Sequence, residues 1–512
     1  MKKYLNLQRL LSSNWFYVIL IVCELGGIIP FFKTMADQSY MLWIIAYIIG
    51  YGTFLYILNQ DISPGSKIPW ICIVLIIPPF GALFYGLFHG KRLSRKERKH
   101  LEQLRKTVGS HKQEGAALEK LKMENKEAYG KAKALLHDDG EAGLYQNTSS
   151  RYYPLGETMF SDMLEDLKRA ERFIFLEYFI VEEGVMWNGV LEILKEKAKA
   201  GVEVRMLYDD LCSFASLPVD YDKKLRSLGI ACYRFSKFTP LVSVVHNNRD
   251  HRKILVIDGK IGYTGGINLA DEYINRKMKF GHWKDGGIRL EGNAVCGLSR
   301  LFLTNWDLNQ KTVSDYANYC IYQEGNYPDK GYYIPFGSGP QPLYRTKVGE
   351  NVFLNLINQS KDYLYITTPY LIIDYELMDA LRNAAIRGVK VVLITPHIPD
   401  KKLVFLMTRS NYIPLLEAGV QIYEYTKGFV HMKTMVVDDC YGMAGTINLD
   451  YRSLMHHYED AVWMYGTETI KDMKADMEQT IFVSTEITRE NLHLNLFQKL
   501  LKSVVQLFAP LM

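Results

Sequence analysis

Cysteine is scarce in this chain of 512 residues, and the seven copies are scattered without a C-x-x-C pair. They are Cys23, Cys72, Cys212, Cys232, Cys296, Cys320 and Cys440. An odd number of dispersed cysteines argues against a disulfide framework and against a zinc site built on thiolates. The same pattern is typical of a protein in a reducing compartment.

A strong excess of charge of either sign is also missing. The 61 basic and 56 acidic side chains leave a formal net charge of +5. That charge is too small over a chain of this length to indicate a nucleic-acid partner, so we predict none. The length itself exceeds one ordinary core and predicts two or three folded units.

Charge is nearly absent from three long hydrophobic runs near the N-terminus. Trp15–Phe32 contains Glu24 as its one charged residue, and Met41–Leu58 and Ile68–Phe88 contain none. Each run approaches the ~20 apolar residues that a bilayer-spanning helix needs. The sequence therefore predicts N-terminal transmembrane helices, with two to three spans within residues 1–90 as a membrane anchor.

A basic cluster follows the third run and predicts the orientation of the chain. It consists of Lys91, Arg92, Arg95, Lys96, Arg98 and Lys99. Because basic flanks stay on the cytoplasmic side, we predict a multi-pass protein of the cell membrane whose catalytic part faces the cytoplasm. Three full spans would place Lys2, Lys3 and Arg9 on the opposite side, so the number of spans stays open.

The remainder of the chain divides into a linker, two globular halves and a tail. Residues 91–150 have the composition of a charged helical linker. Residues 151–330 and residues 331–490 each alternate helix and strand patterns, which is typical of an α/β fold. Residues 491–512 are amphipathic at helical spacing, so this tail either packs on the protein or lies in a membrane interface.

One pattern of histidine, lysine and aspartate occurs twice. The first copy is His251, Lys253 and Asp258, and the second is His431, Lys433 and Asp438, both spaced H-x-K-x4-D. A G-[GST]-x-N run follows each copy and ends at Asn268 and Asn448. Every one of these markers is displaced by 180 positions between the copies, from 251 to 431 for the histidine, which indicates an internal duplication.

The spacing places the histidine and the lysine on one side of a strand. Residues two apart on a strand share a face, so His251 and Lys253 project together from the start of a buried strand. One imidazole and one ammonium group from each half would form a compact cationic pocket for a phosphate. In such a pocket one histidine can attack phosphorus while the other transfers protons.

The doubled H-x-K-x4-D-x6-G-[GST]-x-N pattern resembles the phospholipase D superfamily. With the hydrophobic N-terminal runs it is most similar to bacterial cardiolipin synthases, over nearly the whole chain. The resemblance implies an α/β fold of two phospholipase D-like α/β/α repeats related by pseudo-twofold symmetry, preceded by the transmembrane helices. It also implies a phosphatidyltransferase that joins two phosphatidylglycerol molecules into cardiolipin and glycerol through a phosphohistidine, without a cofactor or a metal.

The same resemblance assigns roles to the motif residues. His251 would be the nucleophile and His431 the general acid and then the general base, although the near symmetry of the motifs leaves open which histidine attacks. Lys253 and Lys433 would neutralise the phosphoryl oxygens as charge spreads in the transition state.

Further residues are expected around the phosphate. Asn268 and Asn448 would donate hydrogen bonds to its oxygens, and Gly266 would allow close approach of the backbone. Asp258 and Asp438 would hold the motif loops rather than contact the substrate.

A carboxylate is needed to accept the second ring proton of each histidine. Asp285 and Glu459 fit this role, because each lies seven residues before a glycine in matching strands. Ordinary strand-end carboxylates are the alternative, and Asp460 is the rival of Glu459. His457 stands where the family more often has asparagine, and we interpret it as lining of the pocket or surface.

Other functions stay open at this point. A hydrolytic phospholipase D would use the same site with water as the acceptor, and a phosphatidylserine synthase would use a CDP-activated lipid and serine. A nuclease is disfavoured by the small net charge, and a scaffold with an inactive site is disfavoured by the two intact motifs. The acceptor alcohol and the oligomeric state are not determined by the sequence.

Overall fold

The structure is a computed structural model that describes residues 40–60, 62, 64–88, 94–109, 115–236, 248–322, 327, 329–492 and 505–506. The described residues fall into two compact units. Residues up to 88 belong to the first unit, and the described residues from 94 onwards belong to the second. Most of the predicted amphipathic tail lies outside the described residues.

The first unit consists of helices around a small apolar core. Its described helices are Tyr40–Leu58, Pro64–Ile76 and Pro78–Phe88. Ile57, Trp70, Val74 and Tyr85 are buried among them. The core is held together by aromatic contact, since the rings of Trp70 and Tyr85 meet edge to face at 5.3 Å.

The predicted transmembrane helices are wrong for this part of the chain. Among the described residues, no helix combines the length and the apolarity that a bilayer crossing requires. The run Ile68–Phe88 is divided between two helices, because Pro78 cannot continue the hydrogen bonding of the helix before it. The 19 residues of Tyr40–Leu58 rise about 28 Å, against about 30 Å of hydrocarbon. The run Trp15–Phe32 lies outside the described residues.

The second unit begins with three helices in the region predicted as a charged helical linker. They are Arg95–Gly109, Gly115–Glu124 and Lys126–Asp138. Their apolar faces are buried, at Leu104, Leu121 and Ala132 for example. Arg105 also donates hydrogen bonds to the carbonyl oxygens of Pro342 and Leu343, at 2.9 and 2.7 Å. These helices are therefore part of the folded unit, because their apolar stripes pack on it.

The first repeat is a mixed sheet flanked by helices. Its strands are β1 (Thr148–Tyr153), β2 (Phe173–Tyr178), β3 (Glu203–Asp209), β4 (Ala231–Phe235), β5 (Lys253–Ile257), β6 (Ile261–Gly265), β7 (His282–Lys284) and β8 (Gly287–Gly292). The spatial order is β1-β8-β6-β5-β2-β3-β4. The principal helices are Gly156–Lys168, Val185–Lys199, Asp210–Ser213, Tyr221–Ser227 and Val295–Gln310. The first histidine motif thus leads into the central strand of its sheet.

The second repeat has the same strand order. Its strands are β9 (Tyr332–Ser338), β10 (Tyr363–Thr367), β11 (Leu371–Ile372), β12 (Lys390–Pro396), β13 (Gln421–Tyr425), β14 (Gly428–Val430), β15 (Thr434–Val437), β16 (Tyr441–Gly445), β17 (Leu449–Asp450), β18 (Glu459–Tyr465) and β19 (Ser484–Ile487). The sheet order is β9-β18-β16-β15-β10-β12-β13-β19. The helices are Val348–Asn358, Tyr375–Ile386, Lys402–Ser410, Tyr412–Glu417 and Thr469–Phe482. The two-repeat α/β fold is therefore confirmed.

A shared hydrophobic core joins the two sheets. Ile254 and Val256 of β5 belong to the same buried cluster as Val436 of β15. Leu255, which alternates with them along β5, packs instead among first-repeat side chains. Because successive strand residues point to opposite faces, one face of each central strand lies against the other repeat. β7 and β14 add a direct parallel pairing between the repeats.

A disulfide corrects the prediction drawn from cysteine spacing. Cys296 and Cys320, 24 positions apart, form this bond. Cys296 lies at the start of the helix Val295–Gln310, and Cys320 follows the short 3₁₀ turn Tyr316–Asn318. The fold alone brings these segments together, so the spacing in the sequence carries no sign of the pairing.

The aspartate of each motif closes the turn that follows the central strand. Asp258 and Asp438 adopt φ values of 56° and 51°, and each carboxylate accepts hydrogen bonds from three successive backbone N–H groups. The donors are Glu171, Arg172 and Phe173 for Asp258, and Lys361, Asp362 and Tyr363 for Asp438, at 2.7–2.9 Å. These contacts tie the end of each motif strand to the start of its neighbour.

We expect Asp258→Ala to lower the free energy of unfolding by about 2–4 kcal/mol, because three backbone donors lose a charged acceptor. Equilibrium urea unfolding followed by tryptophan fluorescence measures this change. Asp258→Asn, which keeps one carbonyl acceptor, should cost less than the alanine variant. Unchanged stability of Asp258→Ala would contradict the supporting role.

Candidate active site

The first motif histidine is fixed by residues of the second repeat. Its Nδ1 lies 2.8 Å from Oε2 of Glu459, the first residue of β18. Its backbone N–H donates to the carbonyl oxygen of Tyr458 at 2.8 Å. Both His251 and Glu459 are buried. The ring orientation of His251 is therefore set by the strand of the opposite repeat.

The second motif histidine has the mirrored arrangement. Nδ1 of His431 lies 2.6 Å from Oδ2 of Asp285, which follows β7 of the first repeat. The backbone N–H of His431 donates to the carbonyl oxygen of Lys284 at 2.8 Å. Each imidazole is thus oriented by a carboxylate of the other repeat. In each ring the Nδ1 that faces the carboxylate carries the proton, which leaves the lone pair on Nε2.

Glu459, and not its rival Asp460, contacts the first histidine. Asp460 instead accepts hydrogen bonds from the Thr264 hydroxyl at 2.6 Å and from the Lys253 backbone N–H at 3.4 Å. Burial raises the pKa of Asp460 to about 7. Burial alone would also raise the pKa of Glu459, but the adjacent His251 ring outweighs it and lowers that pKa. Glu459 is accordingly the ionised partner in this pair.

The two orienting carboxylates are held differently. Glu459 accepts hydrogen bonds from the hydroxyl groups of Thr446 and Ser453. Asp285 accepts one from the backbone N–H of Gly286 at 2.9 Å. A Cβ at Gly266 would lie 2.1 Å from the Asp285 carboxylate, so only glycine leaves room for it. Thr446 is the counterpart of Gly266 in the second motif and uses its side chain as a donor instead.

The lysines add positive charge to a buried site. Nζ of Lys253 donates to the carbonyl oxygen of His251 at 2.6 Å, and Nζ of Lys433 donates to that of His431. Burial lowers the pKa of Lys253 to about 8 and that of Lys433 to about 7. Burial and Lys433 together lower the pKa of His431 to about 4.

The charged groups of the two motifs interact electrostatically. The Lys253 ammonium contributes to the lowered pKa values of both His431 and Lys433. Burial holds the pKa of His251 well below its ordinary value, and the charge of Lys253 lowers it further. Glu459 acts in the opposite direction but does not outweigh them. Cations that disfavour one another in this way stabilise an incoming anion, so the pocket suits a phosphodiester.

The motif asparagines differ in how far they are engaged. Oδ1 of Asn268 accepts a hydrogen bond from the backbone N–H of Ile180 at 3.0 Å, and its Nδ2 donates to the Tyr273 hydroxyl at 2.7 Å. The side chain of Asn448 is buried, and its Oδ1 has no partner within the described part of the chain. Contact of either amide with phosphate stays a prediction.

Aromatic rings line both histidines. The Phe179 ring lies 4.7 Å from the His251 ring and 5.2 Å from Nζ of Lys253. Around His431 the rings of Trp283, Tyr273 and Phe429 lie at 5.4, 5.6 and 5.8 Å. These rings give both histidines partly apolar surroundings.

Some of these residues were missed by sequence reasoning. Thr446 occupies the variable position of the G-[GST]-x-N run, so the motif contained a signal for it. Ser453 lies in the run Arg452–Glu459 that resembles the family pattern R-S-x-x-x-N-[FY]-E, whereas Phe179 and Trp283 carry no such signal, because only the fold brings them to the histidines.

One group of side chains could hold a metal ion. Within the described residues, His251, His457 and Glu459 each offer a ligand atom, and these atoms lie within 4.8 Å of one another. The set contains two nitrogens and one carboxylate oxygen, which are donors that Zn²⁺ accepts.

The geometry defines the class of the protein. Two buried imidazole–carboxylate pairs, each beside a lysine, are the groups that an enzyme needs to transfer a phosphoryl-linked group through histidine.

Comparison with known proteins then gives the family. The family model described as cardiolipin synthase, PLD-like domain matches residues 163–280 and 353–481. Cardiolipin synthase 1 of Bacillus anthracis is 31% identical over 516 residues, which is 96% of this chain and 99% of the relative. Cardiolipin synthase of Staphylococcus aureus is 31% identical over 90% of this chain and 94% of its own length. The chain belongs to the cardiolipin synthase family of proteins with phospholipase D-like domains.

A solved structure supports the fold. The chain is similar to the crystal structure of phosphatidylserine synthase from Haemophilus influenzae, with a TM-score of 0.54 and 14% identity. The similarity covers 71% of this chain and 93% of the other. At this identity the likeness concerns the fold alone.

The lowered pKa of His431 predicts acid sensitivity. In the unfolded chain the ring takes up a proton near its ordinary pKa of 6.5, whereas in the folded protein it does so near 4. The unfolded state therefore binds more protons between these values, so stability is lost as pH falls from 6.5 towards 4. We expect His431→Gln to lose less stability than the wild type over this range.

Thermal unfolding at a series of pH values tests this expectation. His137→Gln is the matched control, because His137 is exposed on the helix Lys126–Asp138. The control should keep the acid sensitivity of the wild type. An equally steep loss of stability in His431→Gln would show that the buried ring is not responsible.

Proposed function

We propose that the protein is a cardiolipin synthase, which transfers a phosphatidyl group from one phosphatidylglycerol to another and releases glycerol. The observation that carries this proposal is the reciprocal pairing of His251 with Glu459 and of His431 with Asp285 beside two lysines. Membership of the cardiolipin synthase family supports the choice of lipid substrates.

In the first step His251 displaces glycerol. Its Nε2 lone pair attacks phosphorus while Nδ1 keeps its proton and donates it in a hydrogen bond to Glu459, so the developing imidazolium is stabilised. The bond between phosphorus and the glycerol oxygen breaks, and His431 gives that oxygen a proton. Lys253 and Lys433 neutralise the charge that spreads over the phosphoryl oxygens. The product of this step is a phosphatidyl group on His251.

In the second step another phosphatidylglycerol supplies the acceptor. Neutral His431 removes the proton of its free hydroxyl group, and the oxygen attacks the phosphohistidine. The bond between phosphorus and His251 breaks and cardiolipin leaves. One phosphodiester is exchanged for another, so the reaction needs no nucleotide.

An anion is required before His431 can act as an acid. With a pKa of about 4, its ring is neutral near pH 7 in the empty site. A bound phosphodiester brings a negative charge between the lysines, which raises the proton affinity of the ring. Substrate binding thereby prepares the acid that the first step uses.

Both substrates are membrane lipids, so the site would work at a membrane surface. Arg95, Arg98 and Lys99 on the helix Arg95–Gly109 could contribute attraction to anionic headgroups. The cytoplasmic location of the catalytic unit stays a prediction from this basic cluster.

The central test is product analysis with purified protein and phosphatidylglycerol vesicles. We expect cardiolipin and glycerol in equal amounts, and a loss of at least about 10³-fold in rate for His251→Ala and for His431→Ala. His137→Ala serves as the control on an exposed histidine. Phosphatidic acid as the main product would instead show a hydrolytic phospholipase D, and a requirement for CDP-lipid and serine would show a phosphatidylserine synthase.

The assignment of the nucleophile has its own test. An activated phosphodiester with a nitrophenol leaving group departs without a general acid, so we expect His431→Ala to accumulate a phosphohistidine on His251. Acid-sensitive labelling followed by peptide mapping locates the modified residue. Label on His431 in the His251→Ala protein, with none on His251 in the converse variant, would reverse the two roles.

A further inference from the structure

One difference between the two halves of the site is the ring beside each histidine. Trp283 lies two residues before Asp285, and His457 lies two residues before Glu459. Their rings take equivalent places, 5.4 Å from His431 for Trp283 and 5.5 Å from His251 for His457. The first histidine therefore has a second imidazole beside it where the other histidine has an indole.

The environment of His457 is incomplete. The residue is 8% exposed, and neither ring nitrogen has a hydrogen-bond partner among the described residues. Its Nδ1 lies 3.7 Å from Oε1 of Glu459, which is too long for a hydrogen bond. Burial of an unpartnered imidazole is costly, so the arrangement points to a ligand that the ring would bind.

We propose that His251, His457 and Glu459 form an inhibitory site for a divalent transition cation of the Zn²⁺ type. The ligand atoms already lie within 4.8 Å of one another. Bonds of about 2.0–2.2 Å to a tetrahedral ion bring ligands to roughly 3.4 Å, so shifts of about 1 Å close the site. The inhibition, though not the binding, depends on the proposed function.

The surroundings of Glu459 favour such a site. The hydroxyl groups of Thr446 and Ser453 hold its carboxylate in place, as outer contacts commonly do for metal ligands. The ammonium group of Lys253 opposes the binding of a cation, so moderate affinity is expected. The other half offers no equivalent set among its described residues, because the Trp283 indole nitrogen donates and does not coordinate.

Occupation of this site would remove the nucleophile. A cation on Nε2 of His251 takes up the lone pair that attacks phosphorus. A cation on Nδ1 replaces the proton shared with Glu459, and the neutral ring then carries its proton on Nε2. In either case His251 has no pair to donate, so no bond to phosphorus forms until the metal is removed.

Metal binding is measured first and without substrate, on the full chain freed of metal with a chelator. We expect isothermal titration with Zn²⁺ to give one site per chain, and Co²⁺ to give the visible absorption of a tetrahedral ion. His457→Asn should weaken Zn²⁺ binding by at least about 10-fold. His137→Asn, the same change on the surface, should leave the affinity unchanged.

The second measurement is the rate of phosphatidyl transfer. The rate of each variant with Zn²⁺ is compared with the rate of the same variant without metal. Saturating Zn²⁺ should abolish phosphatidyl transfer by the wild type, EDTA should restore it, and His457→Asn should be inhibited at least about 10-fold less sensitively. Equal Zn²⁺ affinity in the wild type and His457→Asn would overturn the site. Binding at one site without inhibition would overturn the regulatory role. Metal-free protein inactive on phosphatidylglycerol would instead refute the proposed function, leaving the binding result intact.

If His457→Asn fails to fold, Trp283→His supplies an independent test. This change should create a second imidazole beside His431 and Asp285 and raise the Zn²⁺ stoichiometry from one to two per chain. A stoichiometry that stays at one in this variant would contradict the proposed geometry of the site.

Discussion

The catalytic unit depends on the pairing of each motif histidine with a carboxylate of the opposite repeat. Each imidazole faces a carboxylate of the opposite repeat, at 2.8 Å for His251 and 2.6 Å for His431. The backbone N–H groups of His251 and His431 also donate to the carbonyl oxygens of Tyr458 and Lys284, each at 2.8 Å. These bonds fix the position of each motif against the segment that carries its carboxylate. A single repeat by itself would contain a histidine without the acceptor that sets its tautomer, so the chemistry requires the two repeats to pack against each other.

The charged side chains buried near these histidine–carboxylate pairs need partners of opposite charge and hydrogen bonds. The Arg252 guanidinium is fully buried between the motif residues and donates to the carbonyl oxygens of Glu459 and Leu301, at 3.1 and 3.2 Å. Its charge offsets that of buried Glu177, 3.8 Å away. Since an unpaired buried charge is strongly destabilising, this residue holds the repeats together while Lys253, facing the site, stays available for an anion.

The sequence predicts this catalytic unit well because its features are local or periodic. The paired motifs, the alternation of helices and strands, and the candidate carboxylates Asp285 and Glu459 all follow from spacing. Two separate helices, Lys402–Ser410 and Tyr412–Glu417, follow β12, because Pro414 fits only the first turn of a helix. The disulfide and the contact of Ser453 with Glu459 depend on tertiary contacts that composition does not encode. The predicted spans failed because composition does not encode where a helix ends.

The surroundings of the two proposed catalytic histidines differ between the repeats. Glu459 receives hydrogen bonds from two hydroxyl groups, of Thr446 and Ser453, whereas Asp285 is packed against Gly266. The two hydroxyl donors stabilise the Glu459 carboxylate and lower its basicity, so the proton stays on Nδ1 of His251 and the Nε2 lone pair would remain available for phosphorus. A histidine that transfers protons needs a ring whose charge changes as substrate arrives. His431 has this property, because burial and the charges of Lys433 and Lys253 lower its pKa. The asymmetry therefore favours His251 as the nucleophile on physical grounds that the near-identical motifs do not contain.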